Sequence, residues 1–304
     1  MALLDEPLVS MLPPRTLFAG TAFSVRAVWR QRELLRLLVS RELKARYKDS
    51  SLGFLWSLIR PLTQLAIYYV AVGHFLHAAD SIPIYAVYIY TGLTIWTLFS
   101  EILNTATGSI VTNHGLVKKV YLPRELFPLA AIGSALFNFV IQFAVLVLAI
   151  IFFQGPPFIT SSIWLVPIAF IVMLLFSLAL ALFLSSVNVF LRDIKHLIEV
   201  AVIVLFWASP IVYSFTAVHA ALKGGWLEQL YLANPVTIVV LAFQKGLWYA
   251  GSVPSTISGH AIAAATYPDH MLLRLLITGL VSLLLVWAAQ RVFARLEGSF
   301  AQEI

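Results

Sequence analysis

Residues 163–187 read IWLVPIAFIVMLLFSLALALFLSSV and contain no Asp, Glu, Lys or Arg. An α-helix needs about 20 apolar residues to cross the ~30 Å hydrocarbon layer of a bilayer, and in lipid only helices or closed barrels satisfy their own backbone. Residues 53–76, 84–106, 124–153, 197–213 and 271–293 are runs of similar character. A soluble fold cannot hide six such helices, so the pattern predicts an all-α membrane protein with six transmembrane helices. Composition points the same way. The chain is 61% hydrophobic and 11% charged, against about 25% charged residues in an ordinary globular domain. It has no cysteine, which excludes disulfides, thiolate metal sites and Cys nucleophiles.

The placement of charge predicts orientation. Ten Lys/Arg lie between Arg15 and Arg60, and Lys118, Lys119, Arg124, Arg192, Lys195, Arg291 and Arg295 follow. All seventeen fall on one side if the N-terminus is cytoplasmic, leaving Lys223, Lys245 and Arg274 for the other. The positive-inside rule then puts both termini in the cytoplasm of a multi-pass protein. Topology explains the basic residues, so nucleic acid is not expected as a partner. No cleavable secretory signal is visible, and the first span reads as an uncleaved signal anchor.

Between these spans the chain divides into a mobile lead (1–23), a helix (24–48) and a six-span domain (49–304). In the helix, Val25, Val28, Leu35, Val39 and Leu43 share one side, and Arg26, Arg30, Arg41, Lys44 and Lys48 the other, with Arg32 and Arg36 intruding on the apolar arc. That pattern suits an amphipathic interface helix lying in the cytoplasmic headgroup layer, or else a solvated helix packed on another protein. Residues 214–270 form the one long external connection. Asn234-Pro235 marks a turn, and residues 236–249 suit a short helix, interrupted by Gln244 and Lys245, that cannot span. Short re-entrant or interfacial segments fit this stretch, because irregular backbone at membrane depth must be buried in protein or line a cavity. Residues 251–269 read as an exposed loop.

The spans carry polar and aromatic stripes. On the first, Ser57, Arg60, Thr63, Gln64 and His74 lie within one arc beside Trp56; a cation there faces an aqueous path or snorkels to the headgroups. On the second, Tyr85, Tyr88, Gly92, Trp96 and Phe99 share a face. Such rings either offer stacking surfaces to sugars or pack and anchor the helix. Glu101 lies opposite and suggests an interhelical contact or a gate. Glu199 shares a face with Phe206, Pro210 and Tyr213, and Ser134, Asn138 and Gln142 are spaced for hydrogen bonds between helices. For catalysis little is found: the seven His show no HExxH spacing or metal cluster, and GxSxG and GxxxxGK[ST] are absent. The chain binds no cofactor of its own on this reading. Any ATP-driven step needs a second subunit.

Four segments resemble the bacterial polysaccharide-export permeases, the Wzm-like ABC-2 type membrane subunits. They are Arg41-Glu42-Leu43-Lys44-Ala45-Arg46-Tyr47-Lys48 with Ser51-Leu52-Gly53-Phe54-Leu55-Trp56 and Arg60-Pro61-Leu62; residues 113–125, Asn-His-Gly-Leu-Val-Lys-Lys-Val-Tyr-Leu-Pro-Arg-Glu; Arg192-Asp193-Ile194; and Leu296-Glu297-Gly298-Ser299-Phe300-Ala301. The likeness implies a homodimer bound to two copies of an ABC ATPase that carries ATP and Mg²⁺. It also implies a channel between the permeases lined by the first, second and fifth spans, with external gate helices in 214–270. The ATPase would touch residues 107–123, with Asn113, Leu116, Lys118, Lys119 and Tyr121, and more weakly 188–196, with Arg192 and Asp193.

The expected cargo is a polyprenyl-diphosphate-linked polysaccharide crossing the bacterial cytoplasmic membrane. Its head group would meet Arg41, Lys44, Arg46, Lys48 and Arg60, and its sugars Trp56, Gln64, Tyr88, Trp96, Phe99, Phe206 and Tyr213. Three alternatives stand beside it: an ABC-2 exporter of a small lipid or drug, a membrane-embedded glycosyl- or acyltransferase using the same carrier, and a proton-coupled carrier using Glu101. The second needs an acid/base or metal cluster at one membrane face.

Overall fold

The computed structural model describes residues 19–47, 55–119, 122–155, 160–257 and 260–303. Residues 1–18 of the expected lead, Lys48, the Ser51–Phe54 part of the second motif and Tyr121 lie outside them. The interface helix begins earlier than expected and is two helices: α1 (Ala19–Arg30) and α2 (Arg32–Tyr47). They meet at a turn at Gln31, whose N–H is shared between the Ala27 and Val28 carbonyls at 3.2 and 3.0 Å, a bifurcation common at helix ends. Leu38 is buried, with Leu34, Leu35 and Val39 packed beside it, while Arg26, Arg30, Arg32, Arg36, Arg41 and Lys44 are exposed. The apolar side of this helix is therefore seated on the bundle. Gly133 permits the seat, since a Cβ there would stand 2.6 Å from Val39 Cγ2.

Among the described residues, four helices are long and apolar enough to cross a membrane: α4 (Tyr85–Thr112), α6 (Leu126–Gln154), α7 (Leu165–Phe190) and α12, Met271–Leu296. They match the second, third, fourth and sixth expected spans. α4 is the keel. In its most apolar stretch 78% of residues are buried, against 17% for α12, and it packs on α6 and α7. α6 and α12 keep outward faces of Val140, Leu148, Phe152, Leu273, Ile277, Leu280 and Leu284 exposed, as lipid-facing helices do. The protein is a helical, multi-pass membrane protein.

The remaining two expected spans take other forms. The first is α3 (Trp56–Tyr68), which runs on without a break into a π-helical stretch, Tyr69–Phe75. The fifth is only 14 residues long, α8 (Ile194–Trp207), or ~21 Å at 1.5 Å per residue, short of the hydrocarbon thickness. The helix stops where Ser209-Pro210 follows, because proline lacks an N–H and clashes with the carbonyl four residues back. Residues 208–214 then continue as non-helical, mostly buried chain.

Three short helices follow: α9 (Phe215–Leu222), α10 (Trp226–Leu232) and α11 (Pro235–Leu247). Ser214 caps α9 by accepting from the Ala217 N–H, and Asn234 caps α11 by accepting from the Val236 N–H, with Pro235 as its first residue. α10 and α11 meet at 81°. α11 is buried almost throughout and packs on α7 and α4; at Gly246 a Cβ would lie 2.4 Å from Val166 Cγ2. The expected loop at 251–269 instead contains a small antiparallel hairpin, β1 (Ser255–Ile257) paired with β2 (His260–Ile262). Short α5 (His114–Lys119) joins α4 to α6, and α13 (Phe300–Glu303) ends the described chain.

Candidate functional site

At the basic end of the bundle the termini and the connections converge. Asn113 closes α4, donating from Nδ2 to the Ser109 carbonyl at 2.8 Å. Its Oδ1 accepts from the Arg41 guanidinium, which ties α2 to the start of α5. α5 buries Val117, half-buries Leu116 and leaves Lys118 and Lys119 exposed. Arg192 and Asp193 are exposed in the turn between α7 and α8. The C-terminal helix α13 packs against α5. Phe300 is wholly buried there, with ring centroids 5.5 Å from Phe293 and 6.1 Å from Phe190, and the Arg124 guanidinium 5.8 Å above it. Arg124 also donates from its side chain to the Glu297 carbonyl, and from its N–H to Glu297 Oε1 at 3.2 Å.

Glu125, next to that arginine, is buried at the foot of α6. Gln290 Nε2 donates to Ser24 Oγ at 2.9 Å and to Glu125 Oε1 at 3.4 Å, joining α12, α1 and α6. Burial, and then the charge of Glu297, push the Glu125 carboxyl up to about 7, against the pull of its hydrogen bonds from Gln290 and Ser24. Sequence reasoning missed this cluster. Ser24, Glu125 and Gln290 lie in three remote segments, and the quoted motifs ending in Arg124-Glu125 and containing Phe300 named two of its parts without joining them.

The expected substrate-facing residues separate into two sets. On α3, Trp56 and Arg60 are exposed and Gln64 is half-buried, 3.5 Å from Tyr68 Oη. On α8, Val200, Ile203, Val204 and Trp207 are exposed. Tyr68 stacks on Phe206 at 5.5 Å, so α3 and α8 touch near their far ends, and each leaves large apolar side chains exposed, with Arg60 exposed on α3 as well. Arg41 and Lys44 are exposed on α2; Arg46 belongs to α2, but its side chain is outside the described set.

Tyr88, Trp96, Phe99 and Phe206 go the other way. They are 2%, 5%, 0% and 6% exposed. Phe99 stacks on Phe176 at 5.8 Å, and Trp96 meets Phe206 edge-on at 5.5 Å. Rings covered by neighbouring helices offer no face to a sugar, so in this arrangement the stripe of the second span is core. Glu101, on the opposite face, accepts from Asn138 Nδ2 at 2.6 Å, which makes it an interhelical contact between α4 and α6.

Tyr88 has a different task, at the far end of the bundle. The break at residues 208–214 sits against α4 and α11, and its carbonyls are met by side chains of those helices. Tyr88 Oη donates to the Pro210 and Tyr213 carbonyls at 3.1 and 2.7 Å, and Tyr85 Oη to that of Val212 at 2.7 Å. Gln244 Nε2 donates to Pro210 at 2.8 Å, and Thr237 Oγ1 and Asn234 Nδ2 to Ala208 at 3.2 and 3.4 Å. Tyr213, half-buried, turns its hydroxyl back to the Trp207 carbonyl at 2.7 Å. In the sequence Gln244 registers only as an interruption and Asn234-Pro235 only as a turn.

Comparison with known proteins agrees with this architecture. Residues 33–248 match the family described as ABC-2 type transporter. The O-antigen export system permease protein RfbA of Myxococcus xanthus is 29% identical over 92% of this chain and 98% of its own length. The protein of the same name from Klebsiella pneumoniae is 27% identical over 70% of this chain and 79% of its own. The polysialic acid transport protein KpsM of Escherichia coli is 24% identical over 69% and 79%. With the match running from α2 through the buried helix α11, the chain belongs to the ABC-2 type transporter family.

Proposed function

We propose that this chain is the permease subunit of an exporter that carries a lipid-linked polysaccharide across the cytoplasmic membrane. In this reading α3 and α8 complete six spans, both termini are cytoplasmic, and two copies meet across the open α3–α8 face to form the channel. A separate ATPase, bound to each copy, supplies ATP and Mg²⁺ chemistry at its own site. The carrying observation is the basic end: a short helix bearing Lys118 and Lys119 is tied to the interface helix by Arg41–Asn113 and backed by the C-terminal helix. Such a projection between two spanning helices gives a motor something rigid to push. Arg192 and Asp193 are exposed at the foot of α8 as a second point of contact.

The cations of α2 with Arg60 suit a diphosphate head group, which binds guanidinium and ammonium groups through charge-assisted hydrogen bonds. Trp56 and Gln64 lie along the same route, whereas Tyr88, Trp96 and Phe99 reach it only if α4 is uncovered. The chain's likeness to an O-antigen export permease and a polysialic acid transport protein supports a polymer as cargo.

The test is genetic and biochemical. Deleting the chain should remove surface polymer and accumulate its lipid-linked form inside. Lys118→Glu with Lys119→Glu should restore the protein to the membrane but not the polymer to the surface, and should lose the co-purifying ATPase. Normal surface polymer after deletion, or polymer transport by the purified chain without an ATPase, refutes the proposal.

A further inference from the structure

The break after α8 is costly unless something holds it. A buried carbonyl without a partner loses a hydrogen bond that water would otherwise supply. Here Trp207, Ala208, Pro210, Val212 and Tyr213 all have side-chain donors, drawn from the break itself, from α4 and from α11. Pro210 needs no partner for an N–H it lacks. Gly92 lets the chain lie close: a Cβ there would meet Ile211 Cγ2 at 3.2 Å and Gln244 Nε2 at 3.4 Å.

These donors are side chains on rigid helices rather than a continuing helical ladder, so water can replace them one at a time. On one side the break leads down α8 to Arg192 and Asp193. On the other it leads directly into α9 and α10, the most exposed helices of the far end.

We propose that residues 208–214 form a latched hinge through which displacement of α8 moves α9 and α10, and that Tyr88 and Gln244 are the positioning residues that hold it shut. The purpose of the opening rests on the export reading; the hinge itself does not. Tyr88 is the centre of the latch because one hydroxyl serves two carbonyls, and Gln244 shares the Pro210 carbonyl from the opposite helix.

The test uses the full-length chain, which has no native cysteine, in nanodiscs of phosphatidylethanolamine and phosphatidylglycerol, so neither polymer nor ATPase is required. Val212→Cys, at a site 2% exposed in the break, reports opening; Ser134→Cys, at a site 0% exposed on α6, reports loosening of the bundle. The readout is the rate of maleimide modification. Adding Tyr88→Phe or Gln244→Leu should raise the rate at position 212 about three- to tenfold, the scale of one net hydrogen bond. The pair should raise it further, with position 134 unchanged. An unchanged rate at 212, or an equal rise at both positions, overturns the hinge. Normal surface polymer after deletion of the chain, with the rates at position 212 rising as stated, would instead count against the export reading alone.

Discussion

Replacing Glu125 by Gln should stabilise the protein at neutral and alkaline pH while leaving it unchanged in acid. The carboxyl is 6% exposed, and the neighbouring cation, Arg124, is engaged with Glu297 and Phe300. Burial and the Glu297 charge raise its titration from 4.5 to about 7. Since the folded value lies above the unfolded one, the native state holds more protons between them. The stabilisation from protonation is complete below about pH 4.5 and is lost as pH rises through about 7. At 1.36 kcal/mol per unit, the interval amounts to about 3 kcal/mol. The positive end of the α6 dipole favours the ionised form, so this is an upper figure.

With an unfolding entropy of about 2.1 cal/mol/K per residue, a chain of 304 residues moves its Tm by about 1.5 °C per kcal/mol. Purified protein in detergent should therefore lose up to about 5 °C between pH 5 and pH 8. The Glu125→Gln protein, which keeps an acceptor for Gln290, should lose markedly less. Parallel Tm curves for the two proteins across that range would refute the assignment of a buried, uncompensated carboxylate.

Two further outcomes follow from packing. Phe99→Ala empties a fully buried site against Phe176 and should cost about 3–5 kcal/mol, read as a fall in Tm and in folded yield; full stability with failed export would instead place Phe99 on the cargo's path. Gly133→Ala puts a methyl 2.6 Å from Val39 Cγ2 and should cost about 1–3 kcal/mol, detected as faster trypsin cleavage within α2, with Val39→Ala in the same protein restoring resistance.

Four of the expected spans were legible because hydrocarbon length and the need for internal hydrogen bonds leave few ways to write a crossing helix. The two sides of α2 were legible too, since Leu35 and Val39 differ from Arg41 and Lys44 in a way that one period resolves, but that the apolar side rests on the bundle rather than in lipid was not. The direction of an aromatic stripe was not. A helix apolar on most sides has neighbours on more than one face, and Tyr88, Trp96 and Phe99 would show the same spacing against protein, lipid or cargo. Where the fifth helix ends was not legible for a related reason. Residues 197–213 are apolar enough to cross, and the partners that make a break tolerable there, Tyr85, Tyr88, Asn234, Thr237 and Gln244, come from other segments of the chain.

The two ends of the molecule differ in how they are held, and that difference constrains any motion. At the basic end Arg41, Arg124, Gln290 and Phe300 join α2, α6, α12 and the tail, so α5 is backed by several elements at once. At the far end the irregular stretches lie together: the π-helical residues after Tyr68 and the break after Trp207 both approach α4, with Tyr69 and Tyr85 ring centroids 6.4 Å apart. α4 itself is too deeply packed to move alone. A push at the basic end is therefore transmitted most easily along α3 and α8, the helices with an open face, and it reaches irregular backbone in both. Widened or broken helix deforms at lower cost than a regular hydrogen-bonded ladder. The physical consequence is that opening should begin where Tyr85 and Tyr88 now close the far end, with α4 and α7 keeping their stacked Phe99–Phe176 contact.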